Sequence, residues 1–354
     1  MMNRPAGMSK ATIKARYRGA ILGTAIGDAL GAPLESMEKS AITSQLPNLG
    51  VSGFSDFLKP DDIKRPPGTR QNVRELGEWT DDTQLMRTIL WAIINKNAID
   101  PMEVAEFTKR VFNNEELRGW SGSGKEACAR LNKGAPWYRS SDTSIGVGNG
   151  VAMKAAPLGL YLSKIDFKTS SWKHAMYSIM GVGQITHHEV GIAAGVLQSV
   201  LIAMSLNGLR NRAKILDGLT AVEQEYFNSS RFTDKLKMAV QFDGVSNIAD
   251  GFGTSPKADR SWVTTAAIFL KTTRKGDAME NMFRLIEQGG DCDTTGAMYG
   301  ALIGARYGVS VFPMHLRKGV EDTKQLMKWA DSMFKKVEFD DDVPPITLYK
   351  DTDE

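Results

Sequence analysis

The chain has 354 residues, of which 42% are hydrophobic and 24% charged, and a formal net charge of +3. That composition suits a globular protein with a sizeable core, and it is too weakly basic to point to nucleic acid or a membrane surface. Only two cysteines occur, Cys128 and Cys292, which speaks against a disulfide framework and predicts a reducing, cytoplasmic setting.

The first eighteen residues include Arg4, Lys10, Lys14, Arg16 and Arg18 and no acid, so they read as a loose basic extension. They lack the apolar segment of a signal peptide, and no apolar run along the chain reads as long enough to span a bilayer. Leu22, Ile26, Ala29 and Leu30 then recur at helical intervals. On the same helix Gly19, Gly23, Gly27 and Gly31 fall four apart. Each interior glycine costs a helix roughly 1 kcal/mol against alanine, so the stripe needs a compensating gain. Close approach of another backbone along that face would supply it. Lys59 to Gln71 is polar and proline-rich and reads as a loop.

Next comes EWTDDTQLM, Glu78 to Met86, directly before a helical pattern of Leu85, Met86, Ile89, Leu90 and Ile93. Thr80 or Asp81 can cap that helix, with Asp82 in its first turn. The same residues also offer hard oxygen ligands to a divalent cation. Two glycine-rich stretches follow, GWSGSGKEA (Gly119 to Ala127) and SIGVGNGVAMKAAPLGL (Ser144 to Leu160). In the second, Gly146, Gly148 and Gly150 precede an apolar helix, so the loop can aim backbone N–H groups at a phosphate with help from the helix dipole. Neither is a phosphate-binding loop of the G-x-x-x-x-G-K-S/T type.

The four histidines lack zinc-hydrolase spacing, and no nucleophile elbow is present. A long apolar pattern runs from Val190 through Leu197 to Met204. Residues 229–260 are polar and glycine-containing and read as a connecting region. GGDCDTT, Gly289 to Thr295, then repeats the earlier arrangement: aspartates and threonines at the start of an apolar helix, here Ala297, Met298, Ala301, Leu302 and Ala305. That helix carries a second stripe, Gly296, Gly300, Gly304 and Gly308. In a membrane such stripes would pair helices, but Asp28, Glu35 and Arg306 argue for a protein interior. An acidic tail, Asp340 to Glu354, closes the chain. No rhythm of alternating strands appears, so the fold class is all-α, with one domain over 19–338 between the extension and a tail at 339–354. Thr80, Asp81 and Asp82 can face Asp291, Asp293 and Thr294 across a cleft and hold one or two Mg²⁺ ions. Cys292 is a soft ligand and is expected to turn its sulfur away.

Five segments, GAILGTAIGDALGAPLE, WTDDT, GVGNGVAMKAAPLG, THHEVGIAAG and GGDCDTTGAMYGALIGARYG, stand in this order between Gly19 and Gly308. Together they resemble the ADP-ribosylglycohydrolase family. The resemblance implies a binuclear Mg²⁺ (or Mn²⁺) site on Thr80, Asp81, Asp82, Asp291, Asp293 and Thr294. It implies that Gly146, Gly148, Asn149, Gly150, Met153 and His187, with Gly122 and Gly124 of the earlier loop, meet ADP-ribose. Asp81 or Glu35 would be the general base. The implied reaction removes ADP-ribose from a modified protein side chain, an arginine first of all. Some proteins similar to the family act as immunity proteins against ADP-ribosyltransferase toxins, with the basic extension as a contact arm here, and a non-catalytic ADP-ribose binder is a third reading. Cys292 replaces a common threonine, and Lys154 a usual arginine.

Overall fold

The computed structural model describes residues 8–46, 56–67, 71–141 and 146–339. In chain order the α-helices are α1 (Lys10–Gly31), α2 (Lys39–Thr43), α3 (Asp81–Lys96), α4 (Pro101–Asn114), α5 (Gly122–Asn132) and α6 (Ala156–Leu162). They continue as α7 (Ser170–Gln184), α8 (Glu189–Leu206), α9 (Arg212–Phe227), α10 (Arg231–Ala239) and α11 (Val245–Phe252). The last five are α12 (Ala258–Lys271), α13 (Asp277–Ile286), α14 (Cys292–Tyr307), α15 (Met314–Gly319) and α16 (Thr323–Phe339). Among the described residues there is no strand, only isolated bridges joining Glu38 to Gly289 and Gly148 to Lys257.

The glycine stripes find each other. α1 and α14 lie antiparallel, with Gly19 against Gly304, Gly23 against Gly300 and Gly27 against Gly296. A methyl group placed on Gly23, Gly27, Gly300 or Gly304 would overlap a carbonyl of the facing helix. Backbone therefore meets backbone over three helical turns, which replaces the stability each glycine forfeits. Gly308, the last of the stripe, ends α14 with φ +78°, and its backbone still lies against Gly19.

α8 corrects the expectation that no run is long enough to cross a bilayer. Its 18 residues are long and apolar enough by length and composition, but 83% of them are buried in this fold. It packs against α6, α7, α9, α12 and α14, and a helix apolar on every face is what such a central position requires.

Two further expectations change. Residues 10–18 are not a loose extension, because α1 begins at Lys10 with Ser9 as its N-cap. Arg18 makes a two-pronged pair with Asp331 of α16 at 2.6 Å on each prong, Arg16 donates to the Leu206 carbonyl, and the Tyr17 hydroxyl donates to Leu160 O at 3.1 Å. These bonds tie Arg16, Tyr17 and Arg18 to the rest of the fold. Residues 1–7 and 340–354, with Arg4 and the acidic tail, lie outside the described residues. The polar region 229–260 is largely helical, since Phe232 and Leu236 of α10, and Val245, Ile248 and Ala249 of α11, are buried at helical spacing.

Candidate functional site

Antiparallel packing sets the C-terminal end of α1 beside the N-terminus of α14. Gly31, the last residue of α1, lies against the Cys292–Asp293 backbone, and Cys292 turns its sulfur to the Gly31 carbonyl at 3.4 Å. The N-terminus of α3 joins them through Asp28. One Asp28 oxygen accepts Thr80 N (2.9 Å) and Thr80 Oγ1 (2.8 Å), and the other accepts Thr83 N (2.9 Å) and Thr83 Oγ1 (2.6 Å). A carboxylate on one helix thus closes the open donors of another, a role usually taken by the helix's own cap.

That arrangement bears on whether these residues cap their helices. Thr80 and Asp291 occupy the N-cap positions of α3 and α14, yet neither side chain makes a capping bond. The Thr80 hydroxyl has one proton, and its shortest contact is to Asp28. Its lone pairs are left facing Asp82 Oδ2 at 3.3 Å and Asp293 Oδ2 at 3.5 Å. A hydroxyl whose proton points away and two carboxylate oxygens, converging on a point, could hold a cation.

The acids cluster in two groups whose oxygens lie within 4.8 Å of one another: Asp28, Asp82 and Asp293, and Glu35, Asp291 and Asp293. Asp293 belongs to both. The Asp28 oxygens are already filled by four donors, so in the first group Thr80 is the freer ligand. Asp81, Asp82 and Asp293 are pushed well above the ordinary carboxylate range by burial and then by one another and their acidic neighbours. Burial also raises Asp291, lifts Asp28 to about 6 and, with the charge of Asp291, lifts Glu35 to about 7. The Arg65 guanidinium is spent on the backbone carbonyls of Pro33 and Glu35, both at 2.6 Å. Asp82 Oδ1 is buried with no hydrogen-bond partner. So many buried carboxylates with so little compensating charge fit a hard divalent cation, which would satisfy the orphaned oxygen.

Beside the acids lies a cavity of about 500 Å³. Glu35, Asp81, Asp82, Asp291, Asp293 and Thr294 line it from the acidic side, and Gly122, Gly148, Asn149, Gly150, Met153 and His187 from the other. Gly119, Ser121 and Ser123 of the GWSGSGKEA stretch, and Pro256, complete the lining, though sequence named none of them individually as a site residue. Thr80 is fully buried behind Asp82.

Gly124 and Gly146 do not line the cavity. Gly124 donates its N–H to the Ser121 hydroxyl that caps α5, and Gly146 packs on the His187–His188 backbone, where a side chain would collide with His188 N at 2.5 Å. Nor does the glycine loop sit on a helix N-terminus. It runs into a turn with Ala152 N donating to Asn149 O, and α6 starts only at Ala156, so the helix dipole is not aimed as the sequence suggests. Ser144 and Ile145 of that stretch fall outside the described residues. Asn149 holds Asp291 Oδ2 at 2.5 Å and Ser261 Oγ at 3.0 Å, so it positions an acid besides lining the cavity.

Sequence reasoning missed Asp28 and Asn72, which donates to Glu35 Oε2 at 2.7 Å. The signal for Asp28 was present, because an acid on a glycine-striped apolar helix has to be paired in the interior. Asp28→Asn should lower the affinity for Mn²⁺ roughly 10- to 100-fold, the usual cost of losing a residue that holds metal ligands. It should also lower stability by about 2 kcal/mol, because an amide cannot accept all four donors. Isothermal titration with Mn²⁺ checks this, and an unchanged Kd would remove Asp28 from the role.

The sequence profile of the ADP-ribosylglycohydrolase family matches residues 9–342. An uncharacterised protein of Archaeoglobus fulgidus is 29% identical, over 90% of this chain and 96% of its own length. The ADP-ribosylhydrolase ARH3 of Mus musculus is 24% identical (90% of this chain, 91% of the relative), and that of Homo sapiens 23% (91% and 94%). Among solved structures, an ADP-ribosylglycohydrolase-related protein complex is similar with a TM-score of 0.68 at 21% identity, covering 92% of this chain and 99% of that one.

Proposed function

The chain belongs to the ADP-ribosylglycohydrolase family, and from that premise we propose that it is a metal-dependent hydrolase that removes ADP-ribose from modified protein side chains, arginine first among them. The observation that carries the reading is the pair of acid groups sharing Asp293 at the wall of the cavity. Thr80, Asp81, Asp82, Asp291, Asp293 and Thr294 would hold the proposed complement of two Mg²⁺ or Mn²⁺ ions. When bound, such ions polarise ligand oxygens and lower the pKa of a coordinated water.

The chain's own residues have separable tasks. Glycosidic cleavage passes through an oxocarbenium-like state, which a nearby carboxylate favours. Glu35 is the least buried acid of the group and is held through one oxygen by Asn72, leaving Oε1 for the reactants. Its pKa near 7 suits proton exchange with water or a leaving nitrogen at neutral pH. Among the described residues no side chain donates a hydrogen bond to Asp81, which lies beside Gly119 and is the second candidate base. An arginine acceptor is preferred because its guanidinium would meet Glu35 rather than an apolar wall. Gly148 and Gly150 keep side chains out of the space beside His187, where an extended ligand can lie.

The test is a panel of ADP-ribosylated peptides with arginine, serine and acidic linkages, assayed with Mg²⁺ and with EDTA. Release from the arginine conjugate only with metal is expected. Full turnover in EDTA would sink the metal-dependent reading, and turnover confined to another linkage would replace arginine as acceptor.

A further inference from the structure

Behind the cavity wall runs a short polar chain that the hydrolytic reading does not use. Lys154 is buried, with 4% of its surface exposed. Its Nζ reaches Thr186 Oγ1 at 3.5 Å, and Thr186 Oγ1 lies 2.7 Å from His187 Nδ1. An ammonium can only donate, so the Thr186 oxygen accepts from Lys154 and its single proton goes elsewhere. Among the described residues the other contact of that hydroxyl is His187 Nδ1. Donation from Nδ1 would leave the buried Thr186 proton without an acceptor, so the nitrogen accepts and the ring proton sits on Nε2.

We propose that Lys154 and Thr186 form a hydroxyl relay that locks His187 in its Nε2–H tautomer and so makes it a hydrogen-bond donor to an anionic or hydroxyl-rich ligand in the cavity. The surroundings agree. Burial, Lys154 and His188 lower the His187 pKa to about 3, so the ring is neutral and carries one proton to be placed. Lys154, lowered to about 8 by burial, is still mostly an ammonium at pH 7. Nε2 faces the glycine loop: side-chain carbons on Gly150 and Gly148 would stand 2.8 Å and 3.6 Å from it. With no side chain there, the N–H is presented to the cavity that both glycines line. Lys154 and Thr186 thus act through His187, as positioning residues.

The relay is tested on the full chain labelled with ¹⁵N-histidine. Four histidines make the long-range ¹H–¹⁵N spectrum assignable, with His187→Gln identifying the relevant signals. Wild-type protein at pH 7 should show Nδ1 in the unprotonated range and Nε2 in the protonated range. Thr186→Val, close in shape but without the hydroxyl, should show a mixture of tautomers, and Thr186→Ser should restore the single form. The choice of ligand rests on the proposed function, so ADP-ribose is titrated separately and should bind about tenfold more weakly to Thr186→Val. An Nδ1–H tautomer or an imidazolium in the wild type overturns the relay, as does an unchanged tautomer in Thr186→Val. A correct tautomer with no ADP-ribose binding by the wild type leaves the relay standing and removes the ligand reading instead.

Discussion

Asp293→Asn is expected to abolish turnover and, at the same time, to raise the melting temperature of the metal-free protein. Asp293 is buried, shared by both acid groups and held well above the normal carboxylate range by burial, Glu35 and Asp291. Its charge is unfavourable until a cation arrives. An asparagine keeps an oxygen for the Thr294 N–H, which Asp293 Oδ1 accepts at 2.9 Å, and removes the repulsion. The metal-free fold should gain about 1 kcal/mol or more. Under the proposed metal-dependent reaction catalysis should fall roughly 10³-fold or more, because the ions would supply several kcal/mol of charge stabilisation. The wild type should show the matching pH dependence. The folded-state pKa near 7 for Glu35 lies above an unfolded value of about 4. Stability in EDTA should then be fullest at acid pH and decline as pH rises from about 4 through 7. Mg²⁺ should flatten that slope. Calorimetric scans of both proteins, with and without EDTA, check these outcomes, and a metal-free mutant less stable than wild type would contradict them.

Gly300→Ala should reverse the sign normally seen for this exchange. In an ordinary helix interior alanine gains about 0.5–1 kcal/mol over glycine. Here the added methyl would overlap the Gly23 carbonyl and press on Met282 Cε at 3.0 Å, and backbone cannot step aside as a flexible side chain can. A loss of at least about 3 kcal/mol is expected, and Gly300→Leu should leave no cooperative fold. Gly276→Ala is the control: its backbone is in the right-handed helical region and nothing lies within 4 Å of the new carbon, so stability should barely move. Urea denaturation of the two alanine variants makes the comparison. Equal midpoints would mean that α1 and α14 do not depend on glycine contact. The site should suffer with the fold, since separating these helices parts Asp28 and Glu35 from Asp291 and Asp293.

What could be read along the chain was whatever depends on near neighbours. Helical spacing of apolar residues marks α1, α3, α8 and α14, because one face of a helix is written three and four residues apart. The glycine stripes announce close packing, and the two aspartate–threonine clusters announce hard-cation chemistry, since both follow from residue type and short spacing. Register across the interior could not be read that way. That Gly23 meets Gly300, that Asp28 closes the first turn of a helix 52 residues on, and that Asn149 grips Asp291 are facts about backbones brought together by packing. The same holds for Gly124 and Gly146, whose role as packing or capping residues depends on what lies opposite them. Arg16 and Arg18 look like free charges until Leu206 and Asp331 are set beside them, and α8, long and apolar enough to cross a bilayer although the sequence reading found no such run, is surrounded by five helices. Sequence alone determines which segments bury a face and which chemistry the acids suit. The tertiary structure decides which oxygen faces which, because hydrogen-bond geometry and close contact are set by the pairing of distant segments, and local propensity carries no term for that.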